Sequence, residues 1–378
     1  MPTIEDRGII YDASLQPKPG SIACFTSLFR ASSGDLFCSF HAGSAKHALD
    51  SNVRICRSRD GGKTWMALPF RFESAFGGVP GSIAAGELVE TEPGKLLLIA
   101  AWFNRSDPKK PLFDPVTEGI LPTKQLAATS SDSGETWTPW KEVPTEGLNG
   151  CSTTGPILKW KDGTIAYAFE SYNLWDDPGP KVHAAWLTLS RDGGKTFSGS
   201  HLVARHPKDE MYYWDQRLCK GARDGEYIGM FWVHDLKEKR DRRVHFLRSS
   251  LADAGEAAKR PVETNIPGQI TSPLLLEDGR ILAFVVDRSR PATMKLWVSG
   301  DGGKSWPEKD AIVVYNHEEQ GAITQGKTNI DFKQYWEDMG KWSFGHPAIC
   351  SLGNGRVLLA HYAGNPDCMS IHWVRVRV

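Results

Sequence analysis

Among the 378 residues, side chains able to do chemistry are densest in one hexapeptide, Tyr212-Tyr213-Trp214-Asp215-Gln216-Arg217. Aromatic faces stack on sugar rings, Asp and Gln bind hydroxyls, and a guanidinium grips a carboxylate through two parallel hydrogen bonds. The same segment also reads as an inner strand with core aromatics, because alternation sends half of its side chains to the opposite face. Asp215 and Arg217 are assigned to the site, and Tyr213 and Trp214 are candidates for either role. A second pair, His234-Asp235, follows the apolar run IGMFWV. An adjacent Asp can orient an imidazole for proton transfer, although strand neighbours point to opposite faces.

The elements that must position these groups are written as repeats. One phrase occurs four times: Ser58 to Trp65 (SRDGGKTW), Ser130 to Trp137 (SSDSGETW), Ser190 to Phe197 (SRDGGKTF) and Ser299 to Trp306 (SGDGGKSW). The pattern suits a tight turn in which Asp accepts hydrogen bonds from its own backbone, Gly supplies a positive φ and the aromatic packs beneath. The longest interval, Ser190 to Ser299, is about two periods, and a decayed copy at Ser249 to Glu256 (SSLADAGE) falls within it. An independent count comes from six glycine turns, at Gly34, Gly94, Gly163, Gly225, Gly279 and Gly355, each followed by an apolar strand-like run. Six units of about four strands each predict an all-β chain folded as a six-bladed β-propeller. The blades fall at about 20–70, 80–145, 149–205, 210–266, 268–316 and 341–378, the last completed by residues 7–12. The run Arg7 to Tyr11 beside the C-terminal strand closes the ring and removes its open edge.

Composition bounds the rest. Radial repetition makes the chain one domain, and a formal net charge of zero argues against a nucleic-acid partner. Fourteen Trp supply aromatics to every blade and also suit sugar stacking. No apolar run approaches membrane-spanning length, and the first residues, MPTIED, lack a signal-peptide pattern. The seven Cys are scattered without a C-x-x-C pair, so buried reduced thiols in the cytoplasm are expected and no metal site is. No cofactor is expected either. A loop-bound calcium stays open, because Asp-rich turns can ligate one.

The repeated phrase resembles the Asp-box of the sialidase superfamily, whose boxes decorate a six-bladed propeller. The resemblance covers nearly the whole chain and speaks to fold more than to reaction. It implies an arginine triad for a substrate carboxylate, an Asp acid/base, and a Tyr nucleophile with a Glu partner. Counting from the glycine turns, Cys24-Phe25-Thr26 stands where the first arginine belongs, Ser272-Pro273 replaces the Glu-Pro phrase, and His346 stands at the nucleophile position. Arg288 matches one triad arginine and Arg217 is a candidate for another, so the resemblance is to an atypical member. Asp50 falls near the acid/base loop and equally reads as a turn cap.

In such a propeller the box turns lie opposite the active face. The candidates on the working face are then Asp50, His346, Asp215 and Glu170 for catalysis, with Arg217, Arg288, His47, His234, Tyr213, Trp214, Gln269 and Tyr362 for binding a carbohydrate substrate. Residues 104–123 and 317–339 interrupt the rhythm as long insertions, readable as walls over the site or as decorated surface. Three function classes remain. The chain is read as a sialidase-like glycoside hydrolase acting on an acidic or deoxy sugar, which needs a carboxylate pair. A lyase acting at a uronic acid through His, Tyr and Arg is the alternative, and a non-catalytic sugar-binding propeller the third.

Overall fold

The computed structural model describes residues 1–180, 182–253, 260–289, 291–317 and 342–378. Apart from short 3-10 turns, the regular structure among these residues is entirely β. An N-terminal strand, β1 (Thr3–Tyr11), precedes a succession of antiparallel groups. The first group is β2 (Ile22–Arg30), β3 (Leu36–Gly43), β4 (Asn52–Ser58) and β5 (Met66–Ala67), and the second is β6 (Gly81–Glu92), β7 (Lys95–Asn104), β8 (Thr123–Ser130) and β9 (Lys141–Val143). The third comprises β10 (Ser152–Lys159), β11 (Ile165–Ser171), β12 (Ala184–Ser190) and β13 (Ser198–Ala204). The fourth holds β14 (Met211–Lys220), β15 (Glu226–Asp235), the short β16 (Arg240–Asp241), β17 (His245–Ser250) and β18 (Val262–Glu263). Then come β19 (Thr271–Leu275), β20 (Ile281–Asp287), β21 (Thr293–Ser299) and β22 (Ile312–Asn316), and last β23 (Phe344–Gly353), β24 (Arg356–Asn365) and β25 (Cys368–Arg377).

β1 pairs antiparallel with β25 over its whole length, from Thr3–Arg377 to Tyr11–Ile371, starting four residues earlier than the sequence suggested. A single parallel bridge, Ile22–Met369, joins this last group to the first, so the two form one eight-stranded sheet. The first strands of successive groups touch one another: β2 meets β6, β6 meets β10, β10 meets β14, β14 meets β19, β19 meets β23, and β23 meets β2. Second strands such as LFCSFHAG in β3 are buried along their entire length, which is why they read as continuous apolar runs rather than alternating ones. The core lies between neighbouring sheets: Phe37, Val53 and Ile55 of the first group pack on Ile83, Leu98 and Leu126 of the second.

The four repeated phrases form near-identical turns. Asp60 Oδ1 accepts from Ser58 Oγ at 2.8 Å and from the amides of Lys63 and Thr64 at 3.0 Å, while Oδ2 accepts from Thr64 Oγ1 at 2.6 Å. The Asp132, Asp192 and Asp301 turns repeat the bonds to their Ser and Thr/Ser partners. Trp137, Phe197 and Trp306 are buried beneath their turns, whereas Trp65 is partly exposed. Gly62 has φ +88°, and a Cβ there would meet Leu36 and Leu358 at 3.2 Å, so both its conformation and its packing require glycine. That contact sets the turn against the start of β3, the end of the molecule where the glycine turns join first to second strands. The decayed copy at Ser249–Glu256 falls partly outside the described residues, as do Arg290 and all of the second insertion beyond His317.

Candidate functional site

The first strands do not run straight. Five carry a shift of register at the same level, between Cys24 and Ser27, Ala84 and Gly86, Thr153 and Ile157, Trp214 and Arg217, and Gly345 and Ala348. Four place a non-glycine residue in the left-handed region there: Phe25 (φ 57°), Ala85 (46°), Asp215 (48°) and His346 (52°). Such a conformation costs on the order of 1 kcal/mol per residue and persists only where the surroundings hold it. All four of these side chains line one central cavity. The bulges thus do locally what alternation would forbid: they turn extra side chains from inner strands toward the axis.

The cavity, of about 100 Å³, is walled by Phe25, Phe103, Phe113, Trp214 and Trp232, with polar atoms supplied by His47, Ser152, Thr153, Thr154, Tyr172, Asp215 and His346. Leu112, Phe113 and Ile120 come from the 104–123 insertion, which is therefore a wall of the site. It is anchored by the Ile120 amide, which donates to Asn173 O at 2.9 Å, and by Thr117 Oγ1, which donates to Trp175 O at 2.5 Å.

One carboxyl, Asp215, lines this cavity, and a second, Glu170 of the neighbouring sheet, lies behind it within reach of its charge. Glu170, at the end of β11, is fully buried. Its Oε1 accepts from the Gln216 amide at 2.9 Å, and its Oε2 from the hydroxyl of cavity-lining Tyr172 at 2.8 Å. Burial, and next the charge of Asp215, raise its pKa to about 8. Burial also raises Asp215, to about 6, against the pull of Arg217 and Arg288. Environment therefore separates two carboxyls that would otherwise titrate together.

Behind His346 stands Arg217. His346 Nδ1 lies 3.0 Å from the Thr26 carbonyl, and Arg217 Nη2 packs against the imidazole, 2.7 Å from Nδ1 and 2.5 Å from Nε2. Arg217 Nη1 reaches the buried Glu87 Oε1 at 3.1 Å. Burial, then Arg217, hold the His346 pKa well below its ordinary value. His346, a catalytic candidate of the sequence, is a buried residue of β23 whose side chain lines the cavity with Asp215. Arg288 is buried on Trp342 at 4.0 Å from the ring, donates to Gln269 Oε1 and, at 2.7 Å, to Phe344 O, and lies 3.5 Å from Tyr362 Oη. Gln269 passes this contact on to Asp241 Oδ2 at 3.0 Å. Lys46, a residue the sequence did not single out, is buried with Nζ 2.9 Å from Tyr362 Oη, and burial lowers its pKa to about 7. Nothing in its setting, an Ala-rich loop between β3 and β4, advertises it.

The remaining candidates divide. Asp50 is exposed and does not line the cavity; its Oδ1 accepts from the Ser44 amide at 2.9 Å and the Ser44 hydroxyl at 3.0 Å, the turn-cap role. Tyr213 packs in the core against Phe231 and His245, since alternation turns it away from Trp214. His234 stacks on Trp214 and faces Asp241 at 3.2 Å, while Asp235 binds Arg242 at 2.7 Å, so the adjacent His-Asp pair does not form. His47 does line the cavity, and burial holds its pKa well below the ordinary value. Phe25 and Thr154 were missed because each is an ordinary residue brought to the cavity at a shift of register, and Trp232 because it reads as a core aromatic of the run YIGMFWV. Among the described residues, no group of three or more His, Cys, Asp or Glu is arranged to hold a metal ion. All seven cysteines are unpaired and six are buried. No helix among the described residues is long and apolar enough to cross a membrane.

No protein-family model matches the chain, and no curated protein matches it in sequence. Solved structures do. A protein of unknown function from Dyadobacter fermentans superposes with a TM-score of 0.72 at 18% identity, covering 100% of this chain and 99% of its own. A Hadza microbial sialidase superposes at 0.67 with 14% identity, covering 97% of this chain and 68% of that one. An α-L-arabinanase from Penicillium chrysogenum, solved with arabinobiose, gives 0.64 at 14% identity and covers 98% of each chain. At these identities the likeness establishes the fold, a sialidase-like β-propeller shared with glycoside hydrolases, and leaves the reaction to the site.

Proposed function

We propose that this chain is a glycoside hydrolase built on a closed six-bladed propeller, acting on a compact deoxy or furanose sugar. The closed ring is supported by the circuit of first-strand contacts from β2 round to β23 and back, and by β1 completing the group of β25. The single observation that carries the enzymatic reading is Asp215, a carboxyl held in a left-handed bulge facing an aromatic cavity, beside a second carboxyl of higher pKa. Near neutral pH Asp215 is ionised and serves as the base that takes a proton from water attacking the anomeric carbon. Glu170 keeps its proton; when substrate binds, the Tyr172 hydroxyl turns its hydrogen from Glu170 to the glycosidic oxygen, passes it to the departing group and takes the Glu170 proton in its place.

The mostly apolar wall favours a sugar with few outward hydroxyls. It offers little to a large, charged sialic acid, whose first arginine position is taken by Phe25 and its neighbours. Elimination at a uronic acid is the weaker reading, because neither Arg217 nor Arg288 lines the aromatic cavity to meet the substrate carboxylate. The test is a panel of 4-nitrophenyl glycosides, including α-L-arabinofuranoside, fucoside, rhamnoside and sialoside, assayed with wild type and Asp215→Asn. Nitrophenol release from a deoxy or furanose substrate, reduced at least about 10³-fold in the variant, is expected. Release from the sialoside alone refutes the substrate class, an ultraviolet-absorbing unsaturated product from a uronide points to the lyase, and binding without release points to a lectin.

A further inference from the structure

The axis holds a second cavity at its other end. The early residues of the first strands face the site already described; the later residues of all six, from Ser27 in β2 to Ser351 in β23, surround a space of about 510 Å³ at the end where the glycine turns lie. Arg30, Lys159, Lys161 and Lys220 stand around it. The two carboxylates of its wall are already committed: Glu90 accepts from the Ser32 amide at 2.8 Å and the Gly94 amide at 3.0 Å, and Glu87 accepts from Ser27 Oγ at 2.5 Å and from Arg217. Lys159 Nζ donates to Thr91 O at 2.5 Å. The side chains of Arg30, Lys161 and Lys220 make neither a hydrogen bond nor an ion pair among the described residues.

We propose that this lower cavity is a binding site for a small multivalent oxyanion, a phosphate- or sulfate-bearing molecule, separate from the aromatic site. Arg30, Lys161 and Lys220 are exposed and Lys159 is half-buried. Cations gathered around one concave space raise one another's free energy, and a multivalent anion relieves that repulsion while meeting donors from several strands at once. Lys220 registers this crowding: burial lowers its pKa first, Asp224 opposes, and Lys159 and Lys161 lower it further. Arg217 borders both cavities through Glu87 below and His346 above, so an anion below sits one side chain from the upper site.

The experiment is calorimetric titration, at low ionic strength, of the intact chain with inorganic pyrophosphate and, separately, with inorganic sulfate. The proteins are wild type, Lys161→Met/Lys220→Met, and Lys63→Met as a control in a repeat turn at the same end. One saturable site per chain is expected, weakened at least about tenfold in the double variant and unchanged in the control. Preference for pyrophosphate over sulfate assigns a phosphate ligand, and comparable binding assigns a tetrahedral oxyanion of either source. The proposal is overturned if neither anion shows saturable binding, or if the lysine variant binds as tightly as wild type. Melting temperatures without anion confirm that each variant is folded, and the outcome does not depend on whether the upper site hydrolyses glycosides.

Discussion

Arg217 Nη2 packs against the His346 imidazole, 2.5 Å from Nε2 and 2.7 Å from Nδ1, and this contact ties the fourth group of strands to the last. The same guanidinium holds Glu87 of the second group at 3.1 Å. One buried cation thus fixes three inner strands, and it packs on the imidazole that forms part of the cavity wall.

Removing that cation should destabilise the protein. Arg217→Met leaves Glu87 buried without its partner, a loss of about 3–5 kcal/mol. The double variant Glu87→Gln/Arg217→Met should recover a large part of it, because no buried charge is then stranded. Urea denaturation of the two variants and wild type provides the comparison; equal stabilities of the single and double variants would contradict the pairing.

His346 should be sensitive to backbone as well as side chain. With φ 52°, the position suits Asn better than Ala. His346→Ala is expected to lower stability by about 1–3 kcal/mol, leaving the Thr26 carbonyl and Arg217 short of a partner, and His346→Asn by less. An alanine variant as stable as wild type would show that the imidazole holds nothing together.

Stability should also fall as pH rises through the carboxyl pair. Both groups have folded pKa values above their ordinary ones, Glu170 at about 8 and Asp215 at about 6, so the folded state binds more protons and loses stability from about pH 4 upward until both are ionised. Glu170→Gln should flatten that decline by on the order of 5 kcal/mol between pH 4 and pH 8. Melting temperatures across this range give the measurement, and parallel profiles for variant and wild type would exclude the raised pKa. Turnover should follow a bell whose limbs, near pH 6 and pH 8, belong to the pair jointly.

The repeat turns carry the opposite dependence. Hydrogen bonds from Thr64 and Ser58 hold Asp60 well below the usual carboxylate range, so its contribution is present at neutral pH and fades as the pH falls below about 4. Asp60→Ala should lower the melting temperature at pH 7 by a few degrees, and the difference should narrow steadily as the pH is taken below 4 toward the lowered folded value. An undiminished difference at low pH would assign the effect to something other than the ionised carboxylate.

What the sequence determined by itself is the repeating scaffold. Ser-x-Asp-x-Gly and the glycine turns act through atoms only a few residues apart, so their chemistry is legible wherever the phrase occurs, and the apolar run LFCSFHAG announces a strand buried on both faces. It also marked Asp215, Glu170, Arg217 and Arg288 as unusual in their surroundings. Which of these face a cavity was decided by tertiary structure. A bulge reverses the side-chain parity of a strand without leaving a mark in composition, which is how Phe25 and Ala85 came to line the site while Tyr213 entered the core. Lys46 and Tyr362, separated by 316 positions in the chain, stand 2.9 Å apart only because the first and last groups of strands lie side by side. Such proximity, and the pKa values it produces, are properties of the assembled sheets, and no local stretch of residues encodes them.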